Sequence, residues 1–113
     1  MTLPAARLIV LNQIPADHPQ KKVLPDYATR SQAEFKTPAG HFGGHAWDAA
    51  KLVVKGLRES SPDAAKIRDG IEQTTSFVGT DGIFNYSPRE HNGLSKDAFV
   101  MVEIANGKWK LVQ

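Results

Sequence analysis

The clearest pattern of apolar and polar positions lies in the middle of the chain, between His41 and Leu57. Apolar and small residues recur there every three or four positions, which places them on one side of a helix: Ala46, Ala49, Ala50, Val53 and Leu57. Charged residues follow the same period on the opposite side: Asp48, Lys51, Lys55 and Arg58. Because Gly43 and Gly44 precede this stretch, we predict a flexible glycine turn leading into an amphipathic helix from about His45 to Glu59.

Two further helices are predicted, one before and one after this central helix. Apolar spacing predicts the first from about Lys21 to Phe35, with Pro25 either at its start or at a kink. The third is predicted from Pro62 to about Thr75, because Ser61 can cap free amides and Pro62 suits a first helical position.

The remaining apolar runs predict strands. Leu8–Leu11 has the continuous apolar character of a short buried strand, and Ile83–Tyr86 predicts another. Asn106-Gly107 separates two strand-like runs, which predicts a closing β-hairpin. The fold class is therefore α/β, with three helices, a short N-terminal strand, and a C-terminal strand plus hairpin. A single strand before three helices has no sheet to join, so we interpret residues 1–113 as one domain that forms part of something larger.

Composition excludes several classes of function. The chain has 113 residues, and its 14 basic and 12 acidic side chains leave a net charge of only +2. The basic residues are scattered, whereas a nucleic-acid surface needs them clustered, so no nucleic-acid partner is expected. There is no cysteine, and the early apolar run is far shorter than the ~20 residues that span a bilayer. We therefore expect no targeting or membrane-spanning segment in this stretch.

The candidate chemistry favours binding over catalysis. His41 and His45 have the spacing of a helical metal-ligand pair, but two glycines lie between them and Phe42 stands where a glutamate is expected, so we predict no metal and no cofactor. The serines around His91 show no nucleophile-elbow motif, so we predict no enzyme. Phe42 lies between a histidine and two glycines, where an aromatic side chain either lines a pocket or fills a core.

Three segments resemble a known family: AWDAAKLVVKGL, IRDGIEQTTSFVGTDGIFNYSPREHNG and FVMVEIANGKWKLVQ. They are similar to the carboxy-terminal third of the periplasmic solute-binding proteins of ABC importers, in the leucine and branched-chain amino-acid group. The resemblance covers nearly all of the chain, most specifically Phe42 to Gln113. Trp47 stands where the family has a tyrosine. The resemblance implies a fragment of a type I periplasmic binding protein, a two-lobed α/β receptor that closes over its ligand.

The resemblance also implies a function. The whole protein would be periplasmic or otherwise extracytoplasmic, would capture an amino acid or similar small carboxylate, and would deliver it to an ABC permease. Phe42 falls on the family position whose aromatic side chain touches the ligand, with His41 and His45 as polar neighbours.

Two expectations follow for the chain on its own. It holds only one wall of the site, so we expect weak or no solute binding by itself. Its uncovered apolar faces and strand edges predict a homodimer. The alternative function is a free-standing interaction module that pairs through its hairpin edge.

Overall fold

The protein consists of three helices, a three-stranded antiparallel sheet and a two-stranded one, and residues 7–19 and 85–98 connect the three-stranded sheet to the rest. The computed structural model describes residues 1–112. The helices are α1 (Gln20–Phe35), α2 (His41–Glu59) and α3 (Ala64–Glu72). The strands are β1 (Thr2–Ala6), β2 (Phe77–Val78), β3 (Ile83–Phe84), β4 (Phe99–Ala105) and β5 (Lys108–Val112). The connections contain 3₁₀ segments at Arg7–Gln13 and Lys96–Ala98.

The three-stranded sheet has the order β1-β4-β5, and both strand pairs are antiparallel. On the central strand β4, Val102 pairs with Leu3 of β1 on one side and with Leu111 of β5 on the other. The predicted hairpin is confirmed: Asn106 and Gly107 both have positive φ, 53° and 73°, as a tight type I′ connection requires. The sheet is therefore built from the two ends of the described chain.

The predicted N-terminal strand is present, but at different residues. Leu8–Leu11 lies in the first 3₁₀ segment, and the strand is formed by the preceding five residues of β1. Leu8 packs with Ile14, Leu24 and Tyr27 in the principal apolar cluster. The apolar run is therefore buried only in part: Leu8 and Val10 are buried, Leu8 in the cluster with α1, whereas Ile9 is 37% exposed, and β1 pairs with β4 in place of the run.

The central helix starts four residues earlier than predicted. Gly43 and Gly44 lie inside the first turns of α2 and do not form a flexible turn before it. A Cβ on Gly44 would lie 2.6 Å from Oγ1 of Thr80, and a Cβ on Gly43 would contact the hydroxyl of Tyr27. The glycines therefore permit close packing of the helix start against its neighbours.

The buried side of α2 is also not the predicted one. Its buried residues are spaced four apart: Gly44, Asp48, Leu52 and Gly56. The predicted apolar face is exposed in the part of the chain that the structure describes, with Val53 45% and Leu57 43% accessible. Asp48, predicted to face water, is 2% exposed. Burial is decided here by which face meets β2, β3 and α3.

The third helix is shorter than predicted. It begins at Ala64, because the carboxylate of Asp63 accepts a hydrogen bond from the amide of Lys66 at 3.0 Å and forms the N-cap in place of Ser61. It ends at Glu72. Gly56 allows α2 and α3 to approach, since a Cβ there would lie 3.0 Å from Cγ2 of Ile67.

Candidate ligand-binding cleft

A cleft of about 420 Å³ lies between the helical layer and the sheet. The helical side contributes His41, His45 and Asp81. The other side is apolar and comes from the sheet and the two connections: Pro4, Ala5, Ala6, Ile9, Leu94, Ala98, Phe99 and Trp109. The polar groups of the cleft are therefore all on one wall.

The polar wall depends on the turn between β2 and β3, residues 79–82, which two buried side chains hold from opposite directions. The carboxylate of Asp48 accepts hydrogen bonds from the amides of Thr80 at 2.8 Å and Asp81 at 3.0 Å. The side-chain amide of Gln20, which is 1% exposed, donates to the carbonyls of Gly79 and Thr80, both at 3.0 Å. The turn is thus fixed to α2 and to α1 at once.

The clamped turn directs Asp81 toward α2. Nδ1 of His45 lies 3.0 Å from Oδ2 of Asp81, and the Thr80 hydroxyl lies 3.5 Å from the same oxygen. The Asp81 side chain is only 5% exposed, whereas that of His45 is 57% exposed. His45 is therefore the member of the pair that solvent or a ligand reaches.

Burial raises the pKa of the Asp81 carboxyl above its ordinary value, and the nearby charge of Asp48 raises it further. The His45 and His41 imidazoles oppose this shift by favouring the charged carboxylate, as does the hydrogen bond from Thr80. Two buried carboxylates thus lie close together beside α2, and the histidines offset part of the shift at Asp81.

The structure brings together two of the three predicted site residues. His41 and His45 both line the cleft, with ring centroids 6.5 Å apart. Phe42 does not line it: its ring centroid lies 4.2 Å from that of His41, with the two rings tilted by 36°, and the residue is 80% exposed. Phe42 is therefore neither in the core nor in this cleft.

A larger groove of about 900 Å³ runs between α1 and α2 and has Tyr27 and Trp47 among its lining residues. Their rings lie 5.6 Å apart, and the Tyr27 hydroxyl donates to the carbonyl of Gly40 at 2.8 Å, which fixes the start of α2. Lys51 and Arg30 lie over the Trp47 ring at 5.0 and 5.8 Å. Trp47 thus packs between the two helices and outside the cleft.

Comparison with solved structures decides the class of fold. An extracellular ligand-binding receptor from Rhodopseudomonas palustris HaA2 matches 98% of this chain with a TM-score of 0.86 and 26% identity. The chain has the fold of one third of an extracellular ligand-binding receptor. A second receptor from the same strain matches the whole chain with a TM-score of 0.80 and 16% identity, and a receptor from Rhodopseudomonas palustris matches with a TM-score of 0.77 and 16% identity.

The chain spans about a third of the length of these receptors, 33% to 34%. It matches no protein-family model and none of the curated proteins. No helix within residues 1–112 has the length and apolarity needed to cross a membrane. The same residues contain no group of three acidic or histidine side chains arranged to hold a metal ion.

The sequence predictions missed Asp81, which lines the polar wall, and the two residues that hold its turn, Gln20 and Asp48. Asp48 carried a usable signal, since it lies between Gly44 and Gly56 on a line of residues spaced four apart along α2. Glycines at both ends of such a line indicate close approach along it, which would bury the residue between them. Gln20 carried no comparable signal, because its partners lie about 60 residues away.

Proposed function

We propose that this chain forms part of an extracytoplasmic solute-binding protein that captures an amino acid or similar small carboxylate and delivers it to an ABC permease. The observation that carries the proposal is the likeness to a solved extracellular ligand-binding receptor over 98% of this chain, with a TM-score of 0.86. The cleft adds support, because it joins a few polar groups to an apolar wall, as small-molecule sites do.

In this proposal, His41 and His45 are polar contacts of the ligand and Phe42 is an apolar one. The exposure of Phe42 supports its role, since an aromatic side chain at 80% exposure has most of its surface free for a ligand or a second lobe to cover. The rings of Phe42 and His41 contact each other at the first turn of α2. A ligand that reaches across the cleft mouth would meet both.

The proposed activity is binding without catalysis. A hydrolytic triad needs a hydroxyl on the imidazole and a carboxylate on its other nitrogen. Here the Thr80 hydroxyl contacts the carboxylate of Asp81 and not the ring of His45. The order of groups therefore suits an anchored histidine better than an activated nucleophile.

The hairpin edge is less suited to the alternative role of strand addition. The side-chain amide of Gln13 already pairs with β5: its nitrogen donates to the carbonyl of Trp109, and its oxygen accepts from the amide of Leu111, both at 2.9 Å. An incoming strand would have to displace these bonds. Solute binding remains the function that we propose.

The test is an NMR titration of the isotope-labelled chain with leucine, isoleucine, phenylalanine and matched carboxylates at millimolar concentration. We expect saturable shifts at His41, Phe42 and His45 with affinity weaker than micromolar, because the chain covers a third of the receptor fold. The same titration of Phe42→Ala should show weaker binding. Absence of saturable shifts with every solute would fit a chain that holds one wall of the site, so the same panel is then titrated into the full-length receptor, where absence of binding would overturn the proposal.

A further inference from the structure

We propose that the cleft binds a monocarboxylate with an apolar body. The imidazolium of His45 contacts the ligand carboxylate, the Asp81 carboxylate orients the His45 ring, and Phe99 and Trp109 contact the apolar body. This inference rests on the proposed solute-binding function and narrows its ligand class. The inference favours a simple carboxylate, without an ammonium group, over a free amino acid as the ligand.

The first step concerns which group meets the ligand. The Asp81 side chain is 5% exposed and lies behind His45, whose side chain is 57% exposed. A ligand ammonium would need an exposed acceptor, and the anionic acceptor of this wall is buried. The group presented to the cleft is a nitrogen donor, which favours a carboxylate without an ammonium group.

The second step concerns the state of the ring. Nδ1 of His45 faces the Asp81 carboxylate at 3.0 Å, so its proton is directed to Asp81 and Nε2 is left for the ligand. If the ring is neutral, Nε2 carries a lone pair and repels a carboxylate. If the ring is protonated, Nε2 donates a charge-assisted hydrogen bond. Binding of an acid therefore requires the imidazolium.

The ionisable groups around His45 come from three parts of the chain. Asp81 and Asp48 are both buried close to the start of α2, and His41 is the other ionisable side chain at the cleft. From α1, the Tyr27 hydroxyl has its pKa raised by burial, Asp81 and Asp48, and it stays neutral at physiological pH. None of the cleft residues contributed by the sheet and the connections ionises. Among the cleft-lining residues, the ionisable side chains are therefore Asp81 and the two histidines.

The third step concerns the ligand body. Phe99 is 59% exposed, Trp109 40% and Ile9 37%, and all three line the cleft opposite the histidines. An apolar body of four or five carbons gains from covering this surface, since each buried methylene contributes roughly 0.8 kcal/mol. A ligand with a carboxylate at one end and an alkyl group at the other would contact His45 on the polar wall and the apolar residues on the opposite wall.

The experiment uses three probes of nearly equal shape: 4-methylpentanoate, 4-methylpentanamide and leucine. The first is an acid, the second its neutral amide, and the third the same acid with an ammonium group. Each is titrated into the labelled chain at constant ionic strength, and the ring signals of His45 and the indole of Trp109 are followed. We expect the acid to bind about five- to tenfold tighter than the amide and leucine at pH 6, because a charge-assisted bond is roughly twice as strong as a neutral one.

The pH dependence separates a ligand role from a structural one. Between pH 6 and 8.5, the acid should lose most of its advantage, whereas binding of the amide should change little, because the amide can donate to a neutral Nε2. His45→Gln should abolish the acid preference at pH 6, and Asp81→Asn should reduce it. His91→Gln is the matched control: it removes a histidine that pairs with Glu72 at 2.9 Å and leaves the cleft intact. Amide dispersion in the NMR spectrum establishes that each variant is folded.

Three outcomes would overturn the inference. Equal binding of acid and amide at pH 6 would exclude anion recognition and leave the proposed solute binding standing. Tightest binding of leucine would exclude the simple carboxylate class. Failure of all three probes to shift His45 or Trp109 would reject this inference, and failure of the wider solute panel in the full-length receptor would reject the proposed function itself.

Discussion

Replacement of Asp48 by asparagine should destabilise the protein far more than its small change in shape suggests. Asp48 is 2% exposed, and its two oxygens accept from the amides of Thr80 and Asp81 at 2.8 and 3.0 Å. In Asp48→Asn, one oxygen still accepts, but the new NH₂ group faces a backbone N–H that is also a donor. One charge-assisted bond is lost, and one buried amide is left unpaired.

The magnitude follows from these two losses. A hydrogen bond to a charged group contributes about 1.5–3 kcal/mol, and an unpaired buried donor costs about 1–3 kcal/mol. Relief from burying two carboxylates close together offsets part of this. We expect a net loss of about 2–3 kcal/mol in the free energy of unfolding, measured by urea denaturation, and a fall in Tm of roughly 10 °C.

The control is Asp26→Asn, which removes the same charge from an exposed site. The Asp26 side chain is 51% exposed and pairs with Arg30 at 3.0 Å, so the change should stay within about 0.5 kcal/mol. Asp48→Asn should also lower the pKa of Asp81, followed by carboxyl ¹³C shifts, because the Asp48 charge contributes to raising it. If Asp48→Asn changed the free energy of unfolding as little as Asp26→Asn does, the role of Asp48 in holding the turn of residues 79–82 would be refuted.

The remaining predictions concern packing, pH and self-association. Gly44→Ala should lower the free energy of unfolding by about 1–3 kcal/mol despite its gain in helix propensity, because its Cβ would lie 2.6 Å from the Thr80 hydroxyl. The control Gly70→Ala should be neutral or stabilising in the same thermal or urea unfolding, since the nearest atom to its Cβ is 3.2 Å away. Burial raises the pKa of Asp81 in the folded state, so the free energy of unfolding of the parent should fall relative to that of Asp81→Asn as pH rises above about 4. A difference between the two unfolding free energies that stays constant from pH 3 to 7 would contradict this. The uncovered face of α2 predicts a homodimer, so light scattering should show a dimer mass that falls to a monomer in the double variant Val53→Lys/Leu57→Lys, and a monomeric parent at high concentration would refute it.

Features that depend on local chemistry were predicted well from the sequence. The hairpin at Asn106-Gly107 is set by the positive φ of its two turn residues, which needs no information from the rest of the chain. The first helix was predicted from Lys21 and begins at Gln20, because its apolar period points directly at the cluster around Leu24 and Tyr27. Such elements are determined by neighbours in the sequence or by one packing partner.

Features that depend on distant partners were predicted poorly. The strand β1 forms because it pairs with β4, almost 100 residues later, and its own composition, with Pro4 at the centre, gives little sign of a strand. On α2, the sequence shows an apolar face and a charged face, yet the buried line runs through Gly44 and Asp48. Periodicity identifies which residues share a face, but the position of the partner decides which face is covered.

The cleft joins a stiff wall to a wall attached through connections. The polar wall is fixed because Asp48 and Gln20 hold the turn that carries Asp81, from two different helices. The apolar wall comes from the sheet and the two connections, and the guanidinium of Arg7 in the first 3₁₀ segment donates to the carbonyl of Asp97 in the second. A ligand that contacts both walls would add a third link across this junction and restrict motion between the two parts. Asp48 and Gln20 therefore fix one wall of the cleft to two helices, whereas the sheet strands of the opposite wall are joined to the helices through the two connections.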